Sequence, residues 1–109
     1  MTLEQQKTDL FEPLNIGKLK LSGRVAKSAT VETLCSEEGY ITDEFLQFYQ
    51  EIAQGGTPLI ITGAASYNQY SRGVPHQISV DTDDKIAGLT RLADTVHQYD
   101  SKIMVQIYH

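Results

Sequence analysis

The sequence predicts an α/β chain that forms the N-terminal portion of a TIM (β/α)8 barrel: a β-hairpin, then three parallel strands with two helices between them. Three observations lead there. Apolar runs of strand length alternate with stretches of helical periodicity, the pattern of consecutive parallel crossover units. The strands read apolar on both sides of the alternation, as strands covered on both faces do. Small or polar residues collect at several strand ends, as a barrel distributes its chemistry. An open nucleotide-binding sheet would instead show a Gly-rich phosphate turn after its first strand, and the chain has Ser28-Ala29-Thr30-Val31 there, with no GxGxxG or GxxxxGK anywhere.

Taken in order, residues 1–9 are polar and read as a flexible leader, followed by one partial domain over residues 10–109. Residues 10–17 and 18–23 form two short extended pieces. Asn15 through Lys18 supply turn chemistry, and Lys18-Leu19-Lys20-Leu21 alternates with the period of a half-exposed strand, so a hairpin is predicted. Residues 24–30 form the first buried strand, and residues 31–40 a loop with Cys35 and the turn-like Glu37-Glu38-Gly39.

A helix is predicted to start at Thr42. The hydroxyl can cap free backbone amides, Asp43 and Glu44 complement the positive helix end, and Phe45, Leu46, Tyr49, Ile52 and Ala53 recur at helical spacing until Gly55-Gly56. The second strand, residues 58–65, follows after Thr57. Residues 66–81 make a polar loop longer than a strand-to-helix turn needs, which marks functional or mobile structure. Thr82 or Asp83 is placed to cap a second helix carrying the stripe Ile86, Leu89, Leu92, Ala93 and Val96. Residues 99–101 turn the chain into the third strand, residues 103–109.

Composition excludes several function classes. The net charge of -5 arises from scattered acids without a basic stripe, which speaks against nucleic acid or an anionic membrane as a partner. A single cysteine excludes an intramolecular disulfide framework, and without CxxC or clustered histidines no metal site is expected. No apolar run approaches the ~20 residues of a membrane span, and the N-terminus lacks a signal-peptide core. A cytoplasmic location in a reducing compartment is expected.

The anomaly is Gln106, an amide inside an apolar strand. Such a strand admits a polar group only where something hydrogen-bonds it, and that partner is either structural or a ligand. On spacing alone the two readings are even. Ser28 and Thr30 can equally satisfy strand-end backbone groups, and Ala64 can be a small packing residue. His76 and His97 read as surface residues, Phe45 and Tyr49 as helix packing, and Cys35 as a thiol without a role.

The chain resembles the N-terminal part of the Old Yellow Enzyme family, the NADH:flavin oxidoreductases. The matching pieces are residues 10–17 with Leu19 and Leu21, Gly23-Arg24-Val25-Ala26-Lys27-Ser28-Ala29-Thr30, residues 39–42, Gly55-Gly56 leading to Leu59-Ile60-Ile61-Thr62, and residues 102–106 with His109. Their order and spacing together carry the resemblance. It implies a barrel holding FMN noncovalently at its carboxyl end and passing hydride from NADH or NADPH through the flavin to an activated alkene or similar small-molecule acceptor. It also implies that Ser28, Ala29 and Thr30 pass the isoalloxazine, that Ala64 contacts it, and that Gln106 bonds its pyrimidine edge. A flat ring needs small residues at close approach, and the pyrimidine edge needs paired donors and acceptors, which one amide supplies.

The chain departs from many relatives at Ser28-Ala29, where they carry Ala-Pro or Ser-Pro, and at Val31, where a Thr or Cys tunes the flavin. Cys35 falls too late for that role, and His109 receives none. A barrel of this class needs about 200 residues or more, so the segment is expected to be a piece, with the family's substrate-activating and phosphate-binding groups beyond His109. No catalytic residue is therefore assigned within it. The alternative is a truncated or stand-alone α/β module without catalysis, acting by protein association. In isolation the segment is expected to self-associate through its open edges and uncovered inner face.

Overall fold

The computed structural model describes residues 9–109, so the predicted leader lies, except for Asp9, outside the described residues. The hairpin forms as expected. Strands β1 (Leu14–Ile16) and β2 (Leu19–Leu21) pair antiparallel, with Leu14 opposite Leu21. Gly17 turns the chain at φ +59°, a conformation in which a side chain would be strained. The hairpin sits at the amino end of the main sheet. The Ser22 hydroxyl donates to the Asp100 carbonyl at 3.2 Å, and a Cβ on Gly23 would lie 3.0 Å from Pro58 Cγ.

The main sheet has the order β3-β4-β6, with every pairing parallel: β3 (Ala26–Lys27), β4 (Leu59–Ile61) and β6 (Lys102–Met104). Strands consecutive along the chain are neighbours in space, the progression of a barrel wall. The regular ladders are shorter than the predicted strands of residues 24–30, 58–65 and 103–109. The cause is visible at Thr62. Its amide donates to the Met104 carbonyl at 2.9 Å, but its hydroxyl then accepts the backbone N–H of Gln106 at 3.3 Å, so a side chain replaces a rung. Pairing resumes as a separate parallel pair, β5 (Ala65–Ser66) with β7 (Ile107–Tyr108).

Helix α1 (Asp43–Gln54) is capped as predicted, with the Thr42 hydroxyl accepting the Phe45 amide at 3.1 Å. Phe45, Tyr49 and Ala53 bury its inner face, and Gly55 ends it. The second helix departs from expectation. A 3-10 turn (Asp83–Lys85) precedes α2 (Ile86–His97), and neither Thr82 nor Asp83 caps α2 through its side chain. The Thr82 hydroxyl bonds the Asp84 carboxylate instead. Ile86 is 56% exposed, and Lys85 takes its place on the buried stripe ahead of Leu89, Leu92 and Val96. Burying that ammonium is offset by Asp81 at 2.7 Å and by the Tyr40 ring 4.5 Å away.

The core lies between helices and sheet, where Phe45, Tyr49, Leu92 and Val96 meet Ile60, Ala65, Ile78 and Cys35. Among the described residues, the helices cover that face alone. On the other, Met104 and Tyr108 are about half exposed, contrary to the expectation of a third strand covered on both sides. The helices reach one face alone, and right-handed crossovers keep them there.

Candidate functional site

The carboxyl ends of the three strands converge opposite the hairpin. The β3–β4 register, continued past Lys27 and Ile60, sets Thr30 beside Gly63. The approach there is between backbones. A Cβ on Gly63 would lie 2.6 Å from the Thr30 carbonyl oxygen and 2.8 Å from Val31 Cα, so only glycine fits without a shift. On the other side of β4, the Ala65 amide donates to the Gln106 carbonyl at 2.8 Å. Thr30, Ala64 and Gln106, from three distant stretches, thus form one rim.

Along β3 and its extension Ser28 and Thr30 are exposed and Ala29 is half-buried, so the two hydroxyls share the open face. Ala64 is nearly covered, and its carbonyl accepts from Gln77. The Gln106 side chain is exposed and makes no hydrogen bond to any described residue; only its backbone is engaged. The structural alternative for this residue, a buried amide bonded to neighbouring backbone, does not hold in this chain.

The buried amide of this region is Gln77, which the sequence reading passed over. Its Nε2 donates to the Ala64 carbonyl at 2.7 Å, and its Oε1 accepts the Gly73 amide at 2.8 Å. It pins the long loop of residues 66–81 to the rim. That loop is ordered further by Ser66 and Ile78, Val80 and Ser66, and Ser79 and Gly39, each joined by a backbone hydrogen bond. The signal was present in Gln77-Ile78-Ser79-Val80, which alternates like a strand and forms a bridge to Ser66.

One further residue, Glu32, was missed, and Tyr49 does more than pack. Glu32 Oε2 accepts both the Tyr49 hydroxyl and, at 3.2 Å, the Gly63 amide, which also donates to Tyr49 Oη at 3.1 Å. Burial, and then the bond to Glu32, hold the Tyr49 hydroxyl well above its ordinary ionisation range. Burial also pushes the Cys35 thiol up to about 12, with the Glu32 charge adding to the shift and Arg72 opposing it. Cys35 is thus an inert core thiol. His76 is exposed as expected, but its Nδ1 lies 2.9 Å from the Cys35 carbonyl. Among the described residues no group of His, Cys, Asp and Glu could hold a metal, and no helix is long and apolar enough to cross a membrane.

The rim's donor set fits a flat heteroaromatic cofactor. Small residues and close-packed backbone line it, while the open hydroxyls of Ser28 and Thr30 and the open Gln106 amide offer paired donors and acceptors.

Residues 9–109 match the model of the NADH:flavin oxidoreductase / NADH oxidase family. The chain is 36% identical over 104 residues to N,N-dimethylglycine/sarcosine dehydrogenase of Chromohalobacter salexigens, covering 92% of this chain and 15% of the relative. It is 33% identical over 103 residues to NADH oxidase of Thermoanaerobacter brockii, covering 93% of this chain and 16% of that one. Its fold superposes on Old Yellow Enzyme from Pichia sp. AKU4542 with a TM-score of 0.86 at 24% identity, over 93% of this chain and 26% of the other. Morphinone reductase in complex with tetrahydroNAD gives 0.82 at 25% identity, over 92% and 27%. The chain therefore spans about a sixth of the length of those curated relatives and about a quarter of those structures. By that match over residues 9–109, it belongs to the NADH:flavin oxidoreductase / NADH oxidase family.

Proposed function

We propose that this chain contributes the first three barrel strands of an FMN-dependent oxidoreductase that takes hydride from NADH or NADPH and delivers it to an activated alkene or similar acceptor. The observation that carries this reading is the convergence of Ser28, Thr30 and Gln106, open and polar, on a rim built by glycine-close strand packing. Bound FMN supplies two-electron hydride acceptance and donation. This chain's residues would hold it. Ser28, Ala29 and Thr30 line one side of the ring, Ala64 closes the adjacent strand end, and the Gln106 amide presents a donor and an acceptor to the pyrimidine edge. The family match across residues 9–109 favours this reading over a non-catalytic association module.

An absorption spectrum of the protein containing this segment, with an FMN titration, tests the proposal. A flavin band is expected. Gln106→Leu, which keeps approximate volume on an exposed site, is expected to leave the fold intact and weaken FMN binding about tenfold or more. Unchanged flavin affinity and potential in this variant would remove Gln106 from the site.

A further inference from the structure

Glu32 is an expensive residue where it stands. Its Oε2 is satisfied by the Tyr49 hydroxyl and the Gly63 amide, but Oε1 is buried and has no hydrogen-bond partner among the described residues. A carboxylate so placed costs free energy that a neutral side chain would not. The cost is not relieved by a salt bridge. Arg72, the cation whose charge opposes that of Glu32 at Cys35, forms no ion pair with Glu32, and its Nη2 is likewise buried without a partner among the described residues. Backbone satisfaction does not explain the acid either, because Tyr49 Oη at 3.1 Å already accepts the Gly63 amide.

What Glu32 does occupy is the junction between two strand ends of the rim. It lies two residues after Thr30, and its carboxylate reaches across to the residue before Ala64. Tyr49 anchors the other end of the link, fully buried in α1, its ring centroid 4.8 Å from Phe45 and 5.1 Å from Phe48. A rigid path thus runs from the helical layer through a hydroxyl and a carboxylate to the Gly63 amide.

We infer that Glu32 and Tyr49 are a positioning pair for the cofactor site: they clamp the Thr30 and Ala64 strand ends at the separation a flavin ring needs, and the Glu32 charge biases the site against negative charge on that ring. This rests on the proposed flavin function, and neither residue is assigned contact with the cofactor. The two parts separate experimentally. Geometry needs only an acceptor oxygen at Glu32, which an amide also provides. The electrostatic part needs the charge.

The test uses the intact flavoprotein containing this segment, read by FMN dissociation constant, flavin midpoint potential and thermal midpoint. Wild-type protein that binds no FMN sinks the flavin reading itself, so the two failures are distinguishable. Given a flavin-loaded wild type, Glu32→Ala is expected to weaken FMN binding about tenfold or more, while Glu32→Gln stays within about threefold of wild type. Both are expected to raise the midpoint potential, since both remove the charge. Tyr49→Phe keeps the packed ring and loses the hydroxyl, and is expected to weaken FMN binding with less effect on potential; it decides the matter if Glu32→Ala does not fold. Wild-type affinity and potential in Glu32→Ala and Tyr49→Phe would overturn the inference. So would an equal affinity loss in Glu32→Gln and Glu32→Ala, or losses that merely track the thermal midpoint.

Discussion

The two sides of the sheet β3-β4-β6 are built from similar residues and end in opposite states. Toward the helices, Ile60 and Ile103 meet Leu92 and Val96 in a closed core. Toward the open side, Met104, and Tyr108 beyond it in β7, are also apolar but remain about half exposed. The difference is the partner, not the residue type. Apolar area stabilises only when another surface covers it, and this segment carries helices for one face alone. Burial is thus concentrated in the helical layer, while the strand-end rim and the opposite face stay open.

The largest expected contrast between the two sides is chemical. With its thiol pushed up to about 12, Cys35 holds about a thousandfold less thiolate near neutral pH than an ordinary thiol. Alkylation should therefore be slow at Cys35 in the native protein and fast at a cysteine introduced as Met104→Cys. Equal rates would erase the distinction. The same shift has a pH consequence: the unfolded thiol releases its proton first, so the native state loses stability as pH rises from the ordinary thiol range toward about 12.

Next in size is the core itself. Leu92→Ala in the closed layer is expected to cost about 2–5 kcal/mol, measured by denaturant unfolding. Two glutamines then sharpen the contrast at the rim. Gln77→Leu leaves the Ala64 carbonyl and the Gly73 amide without their partner and should cost about 1–3 kcal/mol, with faster hydrogen exchange at Gly73 and Val74. The same change at exposed Gln106 should stay within about 0.5 kcal/mol. The smallest stability effect is expected for Met104→Lys, also within about 0.5 kcal/mol. It should still reduce self-association of the isolated segment, as read by sedimentation. Unaltered sedimentation would show that the inner face is not the contact.

Elements governed by neighbours in sequence are legible in the sequence itself. The hairpin, the Thr42 cap, the stripe Phe45-Tyr49-Ala53 and the parallel order all follow from local periodicity and turn chemistry, which act over a few residues. The convergence of strand ends was legible too, because a crossover topology brings those ends to one side.

What required the tertiary structure were the choices among residues of one type, which depend on groups far away in the chain. Lys85 rather than Ile86 faces inward because Asp81 and Tyr40 are there to receive its charge. The regular ladders stop early because the Thr62 hydroxyl accepts the backbone N–H of Gln106, 44 positions away. Gln77 rather than Gln106 is the buried amide because the loop folds back onto Ala64. Tyr49, legible as packing, became half of a hydrogen-bonded link only when the chain after β3 carried Glu32 to it. Periodicity tells which face of an element is apolar; which polar atom finds a partner is decided by long-range approach, on a scale of tenths of an ångström that no local pattern encodes.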